Sequence, residues 1–260
     1  MNFSWEFIFD TTGYVVKALP LTLFLTIFPV AAGLVFGFLL ALAKIYKVPV
    51  LDKLVSIYVS FFRSIPLLVL LFLAFYGTPK LVNFLFHGGE RVMGSIDMSK
   101  NVTAIVTLTL YAAAFLCEIV RGALNSVDMR QMEAAHALGM TKPQAYFRII
   151  IPQAIIVALP NYFNFFLALL KGSSVVFTIS VVDIMAAAKL QAEYGYRYIE
   201  AYTLGIFDIL GKARQLDTNV SHVKTFEMYF AVAMIYWVLA ILIQQVFHLL
   251  ERHFGKEASR

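Results

Sequence analysis

The feature that most constrains this chain is a run of 26 residues without a charge, from Ala18 to Ala43. An α-helix rises about 1.5 Å per residue, so this run exceeds the roughly 30 Å hydrocarbon core of a bilayer. The run is also too long for the apolar part of a signal peptide, which favours a retained span. Because hydrocarbon offers the backbone no hydrogen-bond partners, a segment that crosses it must pair its backbone N–H and C=O groups with one another. The run therefore predicts a transmembrane helix.

Four more segments are similarly apolar, and only 14% of all residues are charged, where soluble domains average about 25%. The sequence predicts an all-α, polytopic membrane protein in which residues 1–260 form one transmembrane domain. Gly33 and Gly37 lie four residues apart in the first span, which favours either close packing against another helix or a kink that faces lipid. The five predicted transmembrane helices are about 18–43, 54–79, 101–120, 149–170 and 228–250.

Several classes of function are excluded or disfavoured. The net charge of +5 suits anionic lipid headgroups, and we expect membrane lipid rather than nucleic acid as a partner. The single cysteine, Cys117, rules out an internal disulfide and a cysteine-based metal site. The chain has no phosphate-binding loop of the P-loop type and no histidine spacing typical of a metal site. We therefore expect no catalytic residues, no metal and no cofactor in this chain.

A polar, helix-forming segment lies between the third and fourth predicted spans. Asp128 can accept hydrogen bonds from the first turn of a helix, and Gly139 is a typical helix end because it enters the left-handed region without strain. Thr141 and Gln144 then form a potential capping box that starts the next helix. The pattern predicts a short helix over about 129–139. By itself this helix could be an ordinary amphipathic connection.

The motif within this segment resembles the signature loop of the permease subunits of bacterial ABC importers. The matching residues are Glu133, Ala134, Ala135, Gly139, Ile149, Ile151 and Pro152. The resemblance implies a type I ABC importer permease fold, in which the short helix is a coupling helix that docks on an ATP-hydrolysing partner. It implies ABC ATPase subunits that carry ATP and magnesium, a second permease subunit, identical or homologous, and an extracellular solute-binding protein.

Other stretches resemble permeases for polar amino acids. Arg63 and Pro66 match that family's signature, whereas Ser64 and Ile65 depart from it. Further matching stretches are Ala112–Gly122 and Leu170–Ser174, the second with Gly172 in place of the usual acid. The segments 46–49, 61–63 and 177–185 look most like permeases for cystine and related sulfur amino acids. The resemblance implies the translocation pathway of an ATP-driven importer for a polar amino acid, with L-cystine as the first candidate.

Four polar residues in or beside apolar segments are predicted to line the substrate pathway. They are Arg63, Glu118, Asn164 and Asp183. Charges inside a span are costly, so they usually face a cavity or a protein partner. Alternatives remain open: Arg63 could extend to the interface, Glu118 could pair with Arg121 one helical turn away, and Asp183 could cap a short helix.

The distribution of basic residues predicts the orientation. Ten Lys and Arg residues lie on the side of the predicted coupling helix and eight on the other, and the first group falls mostly in short loops, which count most. We expect a multi-pass protein of the bacterial cytoplasmic membrane, with the N-terminus outside, the C-terminus inside and an extracellular loop over about 191–227. Two other functional classes remain open, namely a membrane enzyme or scaffold without a transport role, and a passive channel.

Overall fold

The computed structural model describes residues 5–87, 99–194, 234–235, 237–243, 245–247 and 249. These residues form only helices and short connections. The nine helices from 5 to 194 are α1 (Trp5–Ile45), α2 (Leu51–Ser64), α3 (Leu67–Phe72), α4 (Thr78–His87), α5 (Lys100–Ser126), α6 (Arg130–Ala137), α7 (Lys142–Ala145), α8 (Ile151–Gly172) and α9 (Ile184–Tyr194). Two π-helical turns, Leu73–Gly77 and Tyr146–Ile150, join α3 to α4 and α7 to α8, and a 3₁₀ helix, Ser173–Ile179, follows α8.

Three helical stretches in the described part are long and apolar enough to cross a membrane, namely Val15–Ile45, Lys100–Ser126 and Lys142–Ile179. A fourth candidate is the bent pair Leu51–Ser64 and Leu67–Val82. The predicted spans 18–43, 101–120 and 149–170 fall within the first three. Most of the predicted span 228–250 and of the loop 191–227 lies outside the described residues, so the count of five spans stays a prediction.

The predicted span 54–79 is divided into separate helices. α2 and the helical stretch that begins with α3 meet at an angle of 109°. Ile65 between them has an extended backbone, with φ −97° and ψ 132°. The residue before a proline is disfavoured in the helical region, and Pro66 has no N–H to continue the hydrogen bonding of α2. The apolar composition of 54–79 therefore conceals a sharp bend.

The longest helix, α1, packs closely against α5. A Cβ atom added to Gly33 would lie 2.7 Å from Ala112 Cβ, and one added to Gly37 would lie 2.8 Å from the carbonyl oxygen of Ala113. The side chains of Leu25, Leu108 and Leu116 are buried in the core beside this contact. Close packing of the glycine face is therefore confirmed, and the alternative of a kink that faces lipid is wrong.

The segment after α8 returns to α1. The hydroxyl of Thr22 on α1 accepts a hydrogen bond from the backbone N–H of Ile184, at 3.1 Å, and donates to the carbonyl oxygen of Ala18. Val15 of α1 packs with Ile184 and Ala188 of α9 in a small buried cluster. α9 is therefore fixed against the first half of α1, away from α6.

Candidate functional site

The α6 segment has the helix ends predicted from its sequence. The carboxylate of Asp128 accepts hydrogen bonds from the Arg130 side chain, at 2.8 Å, and from the backbone N–H of Arg130, at 3.0 Å, and these two contacts hold the pKa of Asp128 below its ordinary value. Gly139 has φ +80°, in the left-handed region. Thr141 and Gln144 form the expected capping box, with Thr141 N–H donating to Gln144 Oε1 at 2.9 Å. The helix runs from Arg130 to Ala137, slightly shorter than the predicted 129–139.

One face of α6 is anchored to the bundle. Met132 and Ala135 are buried against residues of α5 and α8, among them Ala123 and Ala154, and Ile149 packs against the same cluster. The amides of Gln131 and Gln153 form two hydrogen bonds to each other, which also tie α6 to α8. Because a short helix alone is only marginally stable, these contacts fix its position.

The other face of α6 is open. Glu133 and Ala134 are exposed, and Leu138 just beyond the helix is 83% exposed. Pro152, the last residue of the motif, is exposed as well. The motif therefore forms a rigid element that is buried on one side and presents small and acidic residues on the other. Such a surface can transmit a displacement between a partner and the span that begins at Lys142.

A polar cleft of about 470 Å³ lies between α1, α2 and α5. The hydroxyl of Tyr58 on α2 donates to the carbonyl oxygen of Leu110, at 2.5 Å, and holds α2 against α5. Three serines at four-residue spacing, Ser56, Ser60 and Ser64, lie on one face of α2, since a helix repeats every 3.6 residues. The cleft is lined by Lys44, Ser56, Val59, Ser60, Arg63, Ser64, Phe115 and Glu118.

Glu118 is the only acid among the described residues that line this cleft. Its Oε1 lies 2.8 Å from Lys44 Nζ, and its Oε2 lies 2.6 Å from an η nitrogen of Arg121. The Glu118 side chain is 17% exposed, and these two cations offset part of the cost of burying its charge. The pairing with Arg121, considered from the sequence, is present. The pairing with Lys44 was missed, because nothing local links residues 74 positions apart.

Arg63 of α2 lines the same cleft as Lys44 and Glu118. Its Cζ atom lies 5.3 Å from the centre of the Phe115 ring, at a distance typical of a cation–π contact. Its side chain has no ion pair within the part of the chain that the structure describes. The structure thus brings two of the four predicted pathway residues, Arg63 and Glu118, into one cleft. Their role in transport stays a prediction.

The other two predicted residues, Asn164 and Asp183, do not line the cleft. Asn164 is exposed on α8. Asp183 is almost fully buried, and its Oδ1 accepts a hydrogen bond from the N–H of Ala186, at 2.9 Å, in the first turn of α9. Asp183 therefore caps the start of α9, as the helix-cap alternative predicted. A role of Asp183 in transport stays a prediction.

Comparison with known proteins identifies the family. Residues 33–256 match the family model described as the inner membrane component of binding-protein-dependent transport systems. The probable amino-acid permease protein YxeN of Bacillus subtilis (strain 168) is 39% identical over 256 residues, which cover 97% of this chain and 96% of YxeN. The L-cystine transport system permease protein TcyL of the same strain is 32% identical over 263 residues, covering 100% of this chain and 93% of TcyL.

Solved structures agree with the sequence matches. An amino acid ABC transporter, crystallised with histidines, has a chain that superposes with a TM-score of 0.73 at 27% identity, covering 97% of this chain and all of that one. A chain of the MetNI methionine ABC transporter superposes with a TM-score of 0.60 at 21% identity, covering 97% of this chain and 99% of that one, which shows a shared fold. The predicted permease fold is confirmed, and the alternative of a membrane enzyme or scaffold is not supported. The chain belongs to the family of inner membrane components of binding-protein-dependent transport systems.

Proposed function

We propose that this chain forms the translocation pathway of an ATP-driven importer for a polar amino acid, with L-cystine as the first candidate. The observation that carries the proposal is the cleft in which Arg63 and Glu118 face the same space. The relatives support the substrate class, since TcyL and TcyB of Bacillus subtilis are both named L-cystine permeases.

The chemistry of the cleft suits an amino-acid zwitterion. An ammonium and a carboxylate each need a partner of opposite charge when they leave water. The guanidinium of Arg63 can bind a carboxylate through two parallel hydrogen bonds. Glu118 is already paired with the ammonium of Lys44, so an incoming substrate ammonium would replace Lys44 as the partner of this carboxylate. The serine hydroxyls of α2 offer further donors and acceptors.

The exposed face of α6 would serve as the coupling surface. We assign Glu133, Ala134, Gly139 and Pro152 to the exposed surface of this coupling element, and Ala135 and Ile149 to the side that anchors it in the bundle. The exposed surface docks on a separate ATPase subunit that binds ATP and magnesium. A second permease subunit, identical or homologous, and an extracellular solute-binding protein complete the importer. ATP must bind one conformation of this assembly better than the other to drive the change. A passive channel, the remaining alternative, would show flux that does not depend on ATP.

Replacement of Glu118 by glutamine tests the substrate site. The variant keeps the shape of the side chain but removes its charge, so the KM for uptake should rise about tenfold, as expected for the loss of one charged hydrogen bond. Radiolabelled L-cystine uptake would be measured in proteoliposomes that contain the complete importer, with a competing panel of other amino acids. Asp183→Asn and Asn164→Ala should lower the rate of L-cystine uptake, measured in the same way, more than they lower the yield of assembled importer.

Asp52→Asn is the matched control for this experiment, because Asp52 lies on α2 but does not line the cleft. It should leave the KM unchanged. A normal KM and normal solute-stimulated ATP hydrolysis in Glu118→Gln would contradict the assignment and make Glu118 a structural residue. If none of the panel competes while the importer responds to another solute, the substrate class is wrong but the permease assignment stands.

The predicted orientation places the N-terminus outside, the C-terminus inside and α6 in the cytoplasm. It can be tested with single cysteines introduced at Ala137 and at Ser221, after replacement of the buried Cys117. A membrane-impermeant maleimide should label position 137 only in inside-out vesicles and position 221 only in intact cells. If both positions react from the same side, the predicted number of spans between them is wrong.

A further inference from the structure

A second cavity, of about 460 Å³, lies beside α6 and shares no lining residue with the polar cleft. α1 contributes Phe38, Leu42 and Tyr46, which are spaced four residues apart and so share one helix face. The segment around α6 contributes Met129 and Met132, and the span that begins with α7 contributes aromatic and aliphatic side chains. The walls are almost entirely apolar. With Leu124 of α5, they bring together four elements, among them the α6 segment that the proposed coupling motion would displace.

The cavity lies where apolar spans meet polar sequence. Tyr46 directly follows the last residue of α1, and Lys142 is the first residue of the span that ends at Ile179. The side chains of Tyr46 and Tyr146 interact with each other at this level. Tyrosine is enriched at the boundary between hydrocarbon and headgroups, because one end of its side chain is apolar and the other polar. Phe147, another lining residue, is 73% exposed, so the cavity opens to the outside of the chain.

The charge around the cavity is positive. Lys142 is exposed at its edge, and the described lining residues include no acid. Lys47 and Arg148 directly follow two other lining residues, Tyr46 and Phe147. Two acids adjoin lining residues in the sequence: Asp128 is paired with Arg130 at 2.7 Å, and Glu133 lies on the exposed face of α6. Basic pockets between spans at the cytoplasmic side are suited to anionic lipid headgroups.

We propose that this cavity binds an anionic phospholipid of the surrounding membrane. One acyl chain fills the apolar space between α1, α6 and the start of the 142–179 span, and the phosphate pairs with the ammonium of Lys142. Apolar walls alone would accept any lipid, whereas the cationic edge selects a negative headgroup. The bound lipid contacts α1 and α6 together, so the composition of the membrane would influence how firmly α6 is held.

Tryptophan quenching by brominated lipids tests the proposal on the full-length chain in vesicles. Trp5 and Trp237 are replaced by phenylalanine, and Phe147→Trp provides a single reporter in the cavity wall. Brominated phosphatidylglycerol should quench this reporter with a relative affinity about fivefold higher than brominated phosphatidylcholine, the ratio expected for one lysine near a lipid surface. Lys142→Gln should bring the ratio close to one, and Lys142→Arg should retain it.

Phe36→Trp is the control reporter, since Phe36 is exposed on α1 but does not line the cavity. It should be quenched equally by the two lipids. Equal quenching of the Phe147→Trp reporter by both lipids would overturn the headgroup assignment. Absence of quenching by either lipid would show that the cavity is closed to lipid or covered by protein, and would overturn the proposal as a whole.

Discussion

Gly37→Leu should prevent α1 from packing against α5 and leave no monodisperse protein after extraction from the membrane. A Cβ at this position would lie 2.8 Å from both the carbonyl oxygen of Ala113 and the backbone nitrogen of Cys117, and 3.1 Å from Leu116 Cβ. Two of these neighbours are backbone atoms of a long helix, which cannot move aside as a flexible side chain can. Size-exclusion chromatography in detergent, after expression of the full chain, measures the outcome.

Gly37→Ala gives a graded version of the same experiment. Overpacking of a close contact typically costs about 1–3 kcal/mol, so the alanine variant should be recovered with a lower thermal unfolding temperature. Gly122→Ala on α5 is the matched control, because a Cβ there meets nothing within 4 Å and alanine favours helix. Equal recovery and stability of the Gly37 and Gly122 variants would show that the two helices do not approach as closely as described.

Glu133→Arg should abolish solute-stimulated ATP hydrolysis and uptake while the chain still folds. Glu133 is exposed on α6, so the charge reversal disturbs no buried group of this chain. It would disturb the proposed contact with the ATPase subunit. Gly139→Pro should have the same functional effect by another route, because proline cannot adopt the φ of +80° seen at this position and the end of α6 would change. Co-purification of the ATPase and its hydrolysis rate are the measurements.

Lys53→Glu is the control for charge reversal, since Lys53 is an exposed residue of α2 away from α6. This variant should leave the co-purification of the ATPase and its hydrolysis rate close to those of the unmodified importer. Normal hydrolysis and normal co-purification in both α6 variants would disprove the docking assignment. It would leave the fold and the family membership unaffected.

The features that sequence predicted well are local. The ends of α6 follow from Asp128 and Gly139, each of which acts on backbone groups within a few residues. The membrane spans follow from the absence of charge over a length that bilayer thickness sets. The glycine spacing in α1 indicated a contact face but left its partner open. A pattern confined to one helix cannot show which other helix covers it.

The features that sequence missed depend on tertiary structure. In the sequence, Lys44 only marks the end of a predicted span, and it is the packing of α1 on α5 that brings its ammonium to Glu118. Pro66 disfavours a continuous helix, but a residue preference of this kind gives no value for the 109° angle between the helices on either side. Asn164 and Asp183 were grouped with Arg63 because all are polar in apolar surroundings. Composition of this kind cannot tell a helix cap from the wall of a cleft.

The break after α2 has a further consequence for the polar cleft. A helix ends in carbonyl groups that lack intrahelical partners, equivalent to roughly half a negative charge. α2 ends at Ser64, which lines the cleft, so the backbone adds a fixed negative potential beside the ammonium of Lys44 and the guanidinium of Arg63. No side-chain substitution removes this potential. This helix end offsets only part of the charge of Lys44 and Arg63, so a cleft that has lost the Glu118 carboxylate should carry a net positive charge and favour anions over neutral molecules of the same shape.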